Sequence, residues 1–112
     1  MPGTDHNTPC SERITHATRL CRWTGAQGGN WFYCAIDGEA GEALATAALV
    51  RRLEGMARGF GSLRVTAQIG ETRWQTSVFP QKGGGWLLLV KAAVRKAEGI
   101  GEGDEVELTL EF

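Results

Sequence analysis

The sequence lacks an apolar run long enough to cross a bilayer. Its longest candidate, Trp86–Val90, is far shorter than the roughly 20 residues that a spanning helix needs. The N-terminus also lacks the apolar segment of a signal peptide. We therefore expect a cytoplasmic protein that does not enter membranes.

Cysteine and histidine are scarce. Cys10, Cys21 and Cys34 are an odd number without a close pair, which does not indicate a disulfide framework and fits a reducing compartment. The two histidines, His6 and His16, are spaced from Cys10 and Cys21 in no known zinc-ligand pattern. We predict no metal site and no other cofactor.

A catalytic constellation is also missing. An enzyme needs a positioned base, nucleophile or metal. His16 is the only histidine outside the N-terminal segment and has no partner that the sequence identifies. The sequence therefore predicts a protein that is not an enzyme, and an enzyme of unknown class is the lowest-ranked alternative.

The length of 112 residues suits one domain with a modest core. Residues 1–12 are polar and contain two prolines, so we expect a disordered tail. Residues 13–112 are predicted to form a single domain.

Charge is unevenly distributed, although the formal net charge is only -1. Residues 51–97 hold nine Lys or Arg and two acids, whereas residues 98–112 hold six acids and no base. These two segments either neutralise one another across the folded domain or leave a local basic patch.

The first third of the chain predicts a hairpin followed by a helix. Ile14–Trp23 and Trp31–Ile36 read as strands on either side of a glycine-rich turn. Asp37 can cap the helix, and Gly55 can end it. Four apolar residues at helical spacing are predicted to be its docking face: Ala45, Leu49, Leu53 and Met56.

The clearest hairpin runs from Ser62 to Val78. Gly70-Glu71 suits a two-residue type II′ turn, which places small Ala67 opposite large Trp74 on an apolar face. The other face is polar and consists of Arg64, Thr66, Gln68, Arg73, Gln75 and Ser77. That face is either an ordinary solvated sheet surface or a surface for a ligand or partner.

The last quarter of the chain reads as strand, short helix, glycine turn and strand. Val90, Val94 and Ala97 are spaced as the buried stripe of the helix, and Gly99-Ile100 is typical of a Schellman stop. The last strand alternates, with its buried face predicted at Val106, Leu108, Leu110 and Phe112.

The order strand, helix, glycine turn and strand occurs twice, beginning at Trp31 and at Trp86. A unit used twice predicts a pseudo-two-fold barrel with a helix at each end. Closing the barrel would remove exposed sheet edges. The predicted fold is therefore mainly β, with two short helices and a strand-helix-strand repeat.

Three stretches, Arg58–Ala67, Trp74–Pro80 and Leu87–Val106, resemble a bacterial family of small domains of unknown function. Its members occur alone or fused to a segment linked to bacteriocin protection. The resemblance implies a six-stranded double-split β-barrel without an established activity. Val90–Arg95 and Gly103–Val106 also resemble the swapped hairpin of AbrB- and MazE-type DNA-binding regulators, but likeness of fold does not carry function.

These observations favour a non-catalytic binding or interaction module for a partner protein or a small anionic ligand, acting as a monomer or weak homodimer. Lys91 and Arg95 form a like-charge pair on a helix, which an anion or the acid Glu98 would relieve. An AbrB-like nucleic-acid-binding regulator is the less favoured alternative, because the acidic last strand would oppose extended DNA. The predicted binding surface comprises Arg64, Arg73, Gln75, Ser77, Lys91 and Arg95.

Overall fold

The structure of the protein is a computed structural model that describes residues 12–25, 28–55 and 61–112. In chain order its elements are β1 (Arg13–Thr24), β2 (Asn30–Ile36), α1 (Gly38–Leu53), β3 (Leu63–Ile69), β4 (Thr72–Pro80), β5 (Trp86–Leu89), α2 (Ala92–Glu98) and β6 (Glu105–Glu111). Neither helix in these ranges has the length and apolar character needed to span a membrane. Residues 1–11 of the predicted tail lie outside the described residues.

The six strands close into an antiparallel barrel with the ring order β1-β2-β5-β4-β3-β6. If β1, β2 and β3 are exchanged with β4, β5 and β6, respectively, the same set of neighbouring strand pairs is obtained. The predicted barrel and its pseudo-two-fold repeat are therefore confirmed, and each repeat also includes the strand before it. In this ring β6 lies opposite β5.

The β3–β4 hairpin has the predicted register, with Ala67 opposite Trp74. Gly70 has a φ of 61°, whereas no non-glycine residue of the described ranges has a positive φ. A positive φ at the first turn position alone is the signature of a type II′ turn. The turn chemistry and the alternation of side chains therefore specify the same pairing.

One row of side chains crosses the interior of five successive strands. Its members are register partners and are each at most 2% exposed: Leu20, Cys34, Leu88, Val78 and Leu63. The predicted inward face at the end of the chain is also buried, at Val106, Leu108, Leu110 and Phe112. These residues belong to one hydrophobic core that includes side chains of both helices.

The helix α1 docks through a different face from the predicted one. Its buried residues are Ala40, Gly41, Leu44 and Ala48. Of the predicted stripe, Ala45 is exposed, Leu49 is 51% exposed, Leu53 is 78% exposed, and Met56 lies outside the described residues. The face with small residues packs against the barrel because it allows the helix to approach closely. At this contact the Trp86 indole N–H donates to the Gly41 carbonyl at 3.1 Å.

The ends of α1 agree with the sequence only in part. Asp37 occupies the N-cap position, but its side chain makes no capping hydrogen bond. Its Oδ1 lies instead 3.6 Å from Nε2 of His16, so His16 has a neighbour that the sequence did not identify. Gly55, with a φ of 75°, ends the helix as predicted.

The helix α2 ends in the predicted Schellman motif. Gly99 has a φ of 66°, and the Ile100 N–H donates back into the last turn at 3.1 Å. Two of the three residues of the predicted buried stripe are buried, and the third is not. Val94 is buried within the helix, whereas buried Val90 precedes it and Ala97 is exposed.

Candidate functional site

The barrel wall splits between β2 and β4 because β5, which lies between them, is only 4 residues long. β5 pairs with residues 33–36 of β2 and with residues 78–80 of β4. Beyond Leu89 the chain turns towards α2, and the Val90 N–H donates to the Phe32 carbonyl at 2.9 Å. Residues 30–32 of β2 and 74–76 of β4 therefore border a groove of about 350 Å³.

Aromatic and cationic side chains dominate this groove, and no acid lines it within the described residues. Its principal lining residues are Trp31, Phe32, Trp74, Gln75, Lys91 and Arg95. Trp31 is 50% exposed, and Phe32 and Trp74 are half-buried. Aromatic faces beside cations, without a competing acid, provide stacking and charge for an anionic ligand.

The guanidinium of Arg95, which lines the groove, is held in place by two contacts within the protein. Its Cζ lies 3.7 Å from the centroid of the Phe32 ring, and its Nε donates to the Val90 carbonyl at 3.2 Å. No acid of the described residues lies within 4.0 Å of it. Because Nε and one face of the plane are engaged, the terminal Nη atoms are positioned for a ligand.

Lys91 occupies the N-cap position of α2 and is exposed. It lies four residues before Arg95, a spacing at which like charges repel on a helix. The prediction that Glu98 relieves this repulsion is wrong, because the Glu98 carboxylate instead accepts a hydrogen bond from the Thr72 hydroxyl. Within the described residues, Arg95 is balanced only by the Phe32 ring and the Val90 carbonyl.

The six residues predicted as one binding surface separate into two groups. Gln75, Lys91 and Arg95 line the groove, whereas Arg64, Arg73 and Ser77 do not. Arg64 and Ser77 are register partners on the outer face of β3 and β4. The structure therefore brings together the N-cap residue Lys91, Arg95 of α2 and one polar residue of β4.

Arg73 is engaged by an acid rather than presented to a ligand. Its Nη2 donates to Oε1 of Glu111 at 2.7 Å. This hydrogen bond raises the pKa of Arg73 above its ordinary value and lowers the pKa of Glu111 below its own. The pair also neutralises one acid of β6.

The binding surface predicted from the sequence did not include the groove's aromatic residues. Trp74 was correctly assigned to the inner face of β4, but the split in the wall leaves it half-buried. β2 carries apolar side chains at both parities, and one parity of a barrel strand must face away from the core. That excess of apolar side chains was the available signal for an exposed Trp31.

Acidic and basic residues segregate by strand. The strands β2, β3, β4 and β5 contain no Asp or Glu, whereas β6 contains three Glu residues. Arg13 and Arg19 of β1 form ion pairs with Glu111 and Glu105 of β6. Within the described residues, Arg73–Glu111 is the one ion pair between the basic middle and the acidic end. Of the acid-free strands, β3 pairs with β6, whereas β5 lies opposite it in the ring.

Most of the chain matches one protein family that is defined by sequence. The family model described as "Domain of unknown function (DUF1905)" matches residues 17–110. The protein belongs to this family. A comparison with curated proteins finds no match to the chain.

Proposed function

We propose that the protein is a non-catalytic binding module that holds an anionic ligand with a planar ring in the groove between β2 and β4. The observation that supports this proposal best is the acid-free lining, in which three aromatic side chains stand beside Lys91 and Arg95. A ring would stack on Trp31 or Trp74, and its anionic group would accept hydrogen bonds from the cations. The volume of about 350 Å³ lies within the range of small-ligand sites.

A catalytic role has less support from this site. Among the residues that the structure describes, no His, Cys, Asp or Glu lines the groove. His16 and Asp37 approach each other at the start of α1, but neither lines the groove. The proposed chemistry is therefore recognition by stacking and charge.

Titrations that follow tryptophan fluorescence test the proposal, because two of the four tryptophans line the groove. The probes are benzoate and adenosine monophosphate, each compared with an uncharged counterpart, benzamide or adenosine. We expect the uncharged probes to bind about tenfold more weakly, since a hydrogen bond to a charged group contributes about 1.5–3 kcal/mol.

Matched variants locate the binding. Arg95→Gln and Lys91→Gln should raise the Kd of the charged probes. Lys96→Gln removes the same charge from the same helix at a residue that does not line the groove, and should leave the Kd unchanged. Equal binding of charged and uncharged probes, or no binding of either, would contradict the proposal.

A further inference from the structure

The aromatic surface continues from the groove onto the outside of the barrel. Trp23 and Trp31 are register partners across β1 and β2, and they are 57% and 50% exposed. They have the opposite parity to the buried pair Leu20 and Cys34 nearer the barrel, so they lie on the outer face. Trp31 also lines the groove and therefore joins the two surfaces.

The next outer row along β2 continues this surface. It consists of Cys21, Tyr33 and Leu89, which are register partners on β1, β2 and β5. Outer residues of one strand are two positions apart, or about 6.6 Å. Trp31 and Tyr33 are therefore successive aromatic residues on which planar groups can stack, and Trp23 lies beside Trp31.

The charge of this wall is complementary to a polyanion. Lys91 and Arg95 lie at the groove, and the strands from β2 to β3 carry no acid. The acidic strand β6 lies opposite β5 in the ring, and Arg13, Arg19 and Arg73 pair with its carboxylates. The acids of β6 thus do not line the groove and are partly neutralised.

We propose that the ligand is a single-stranded nucleic acid, an inference that rests on the proposed function of the groove. One base enters the groove beside Trp74, a neighbouring base stacks on Trp31 and Trp23, and the phosphates between them accept hydrogen bonds from Lys91 and Arg95. A single strand is favoured over a duplex because aromatic side chains can stack only on bases that are not already stacked between neighbouring base pairs. Stacking on an exposed ring does not require a particular base, so recognition tolerates different sequences.

Fluorescence anisotropy with a short labelled thymidine strand tests this inference at about 50 mM salt, where phosphate contacts are strong. The competitors are thymidine monophosphate, a duplex containing the same strand, and an acidic peptide with aromatic residues. We expect the strand to bind more tightly than the monophosphate and the duplex. Two phosphate contacts predict a slope of log K against log salt of about −1.4, and Lys91→Gln should reduce it by about 0.7.

Trp23 lies outside the groove lining. Its substitution therefore distinguishes binding of a nucleic-acid strand from binding of a small ligand in the groove. Trp23→Ala should weaken binding of the strand about tenfold and leave binding of the monophosphate unchanged. Trp23→Thr repeats the test with a residue that favours strands. Leu53→Ala, which shortens another exposed apolar side chain far along α1, is the control and should change neither affinity.

Each result decides between the two proposals. If the monophosphate binds and the strand binds no more tightly, the nucleic-acid inference is wrong and the proposed function stands. If the peptide binds and the strand does not, the ligand is a protein segment and the inference is again wrong. If no planar anion binds, both proposals fail.

Discussion

The guanidinium carbon of Arg95 lies 3.7 Å from the centroid of the Phe32 ring, and this contact joins α2 to β2. Because α2 has only 7 residues, it is too short to be stable alone and depends on such contacts. The same contact positions the guanidinium in the lining of the groove. The pair is therefore expected to contribute to both stability and ligand binding.

A double-mutant cycle measures this pair. Arg95→Gln and Phe32→Leu should each lower the free energy of unfolding, and the double variant should lose less than the sum. We expect a coupling of about 0.5–2 kcal/mol, as for a partly desolvated cation over an aromatic ring. Urea unfolding of the four proteins provides the measurement, and strictly additive effects would show that the contact contributes no energy.

The docking face of α1 gives a second prediction. Leu44→Ala should lower the free energy of unfolding by about 2–5 kcal/mol, because Leu44 is 0% exposed and its removal leaves a cavity. Leu53→Ala makes the same chemical change at a side chain that is 78% exposed, and should stay within about 0.5 kcal/mol of the parent. Similar losses of unfolding free energy in the two variants would contradict this docking face and support the one predicted from the sequence.

Arg73 should influence how the free energy of unfolding changes at acidic pH. Its hydrogen bond lowers the pKa of Glu111 below the unfolded-state value of about 4.3. The pair therefore stabilises the fold above that pH, and its contribution is lost as the pH falls through the folded-state pKa. Arg73→Gln should raise the pKa of Glu111 and weaken the pH dependence of unfolding in this range.

An NMR titration of the Glu111 carboxyl measures that change directly. Arg13→Gln is the matched control, because Nε of Arg13 lies 3.7 Å from Oε2 of Glu111 and contributes less to lowering its pKa. The control should produce a smaller shift. An unchanged pKa of Glu111 in Arg73→Gln would contradict the assigned cause.

The two described cysteines should differ in reactivity. Burial, with a smaller effect from Cys21, raises the pKa of the Cys34 thiol to about 12. The thiolate is the reactive form, so Cys34 should resist alkylation at about pH 8 in the folded protein. Cys21 is half-buried and should be modified first. Mass spectrometry of peptides after a short iodoacetamide pulse measures both sites, and early modification of Cys34 would count against its burial.

Local patterns predicted much of the fold. The β3–β4 hairpin was predictable because turn geometry and alternation are both local, and Gly70-Glu71 fixes the pairing of Ala67 with Trp74. Gly99-Ile100 likewise predicted the end of α2. The face of α1 was not predictable in this way. The helix carries apolar residues on two adjacent stripes, and only the surface it packs against selected the one with smaller side chains.

The candidate site depended on tertiary structure to a greater extent. The sequence by itself determined that two cations, Lys91 and Arg95, lie four positions apart, a spacing that makes side chains neighbours on a helix. It did not determine that Phe32, on β2, lies under Arg95. Nor did it show that β5 stops after 4 residues between two longer strands. Those relationships arise only when the ring of strands closes, because they join segments that are far apart in the chain.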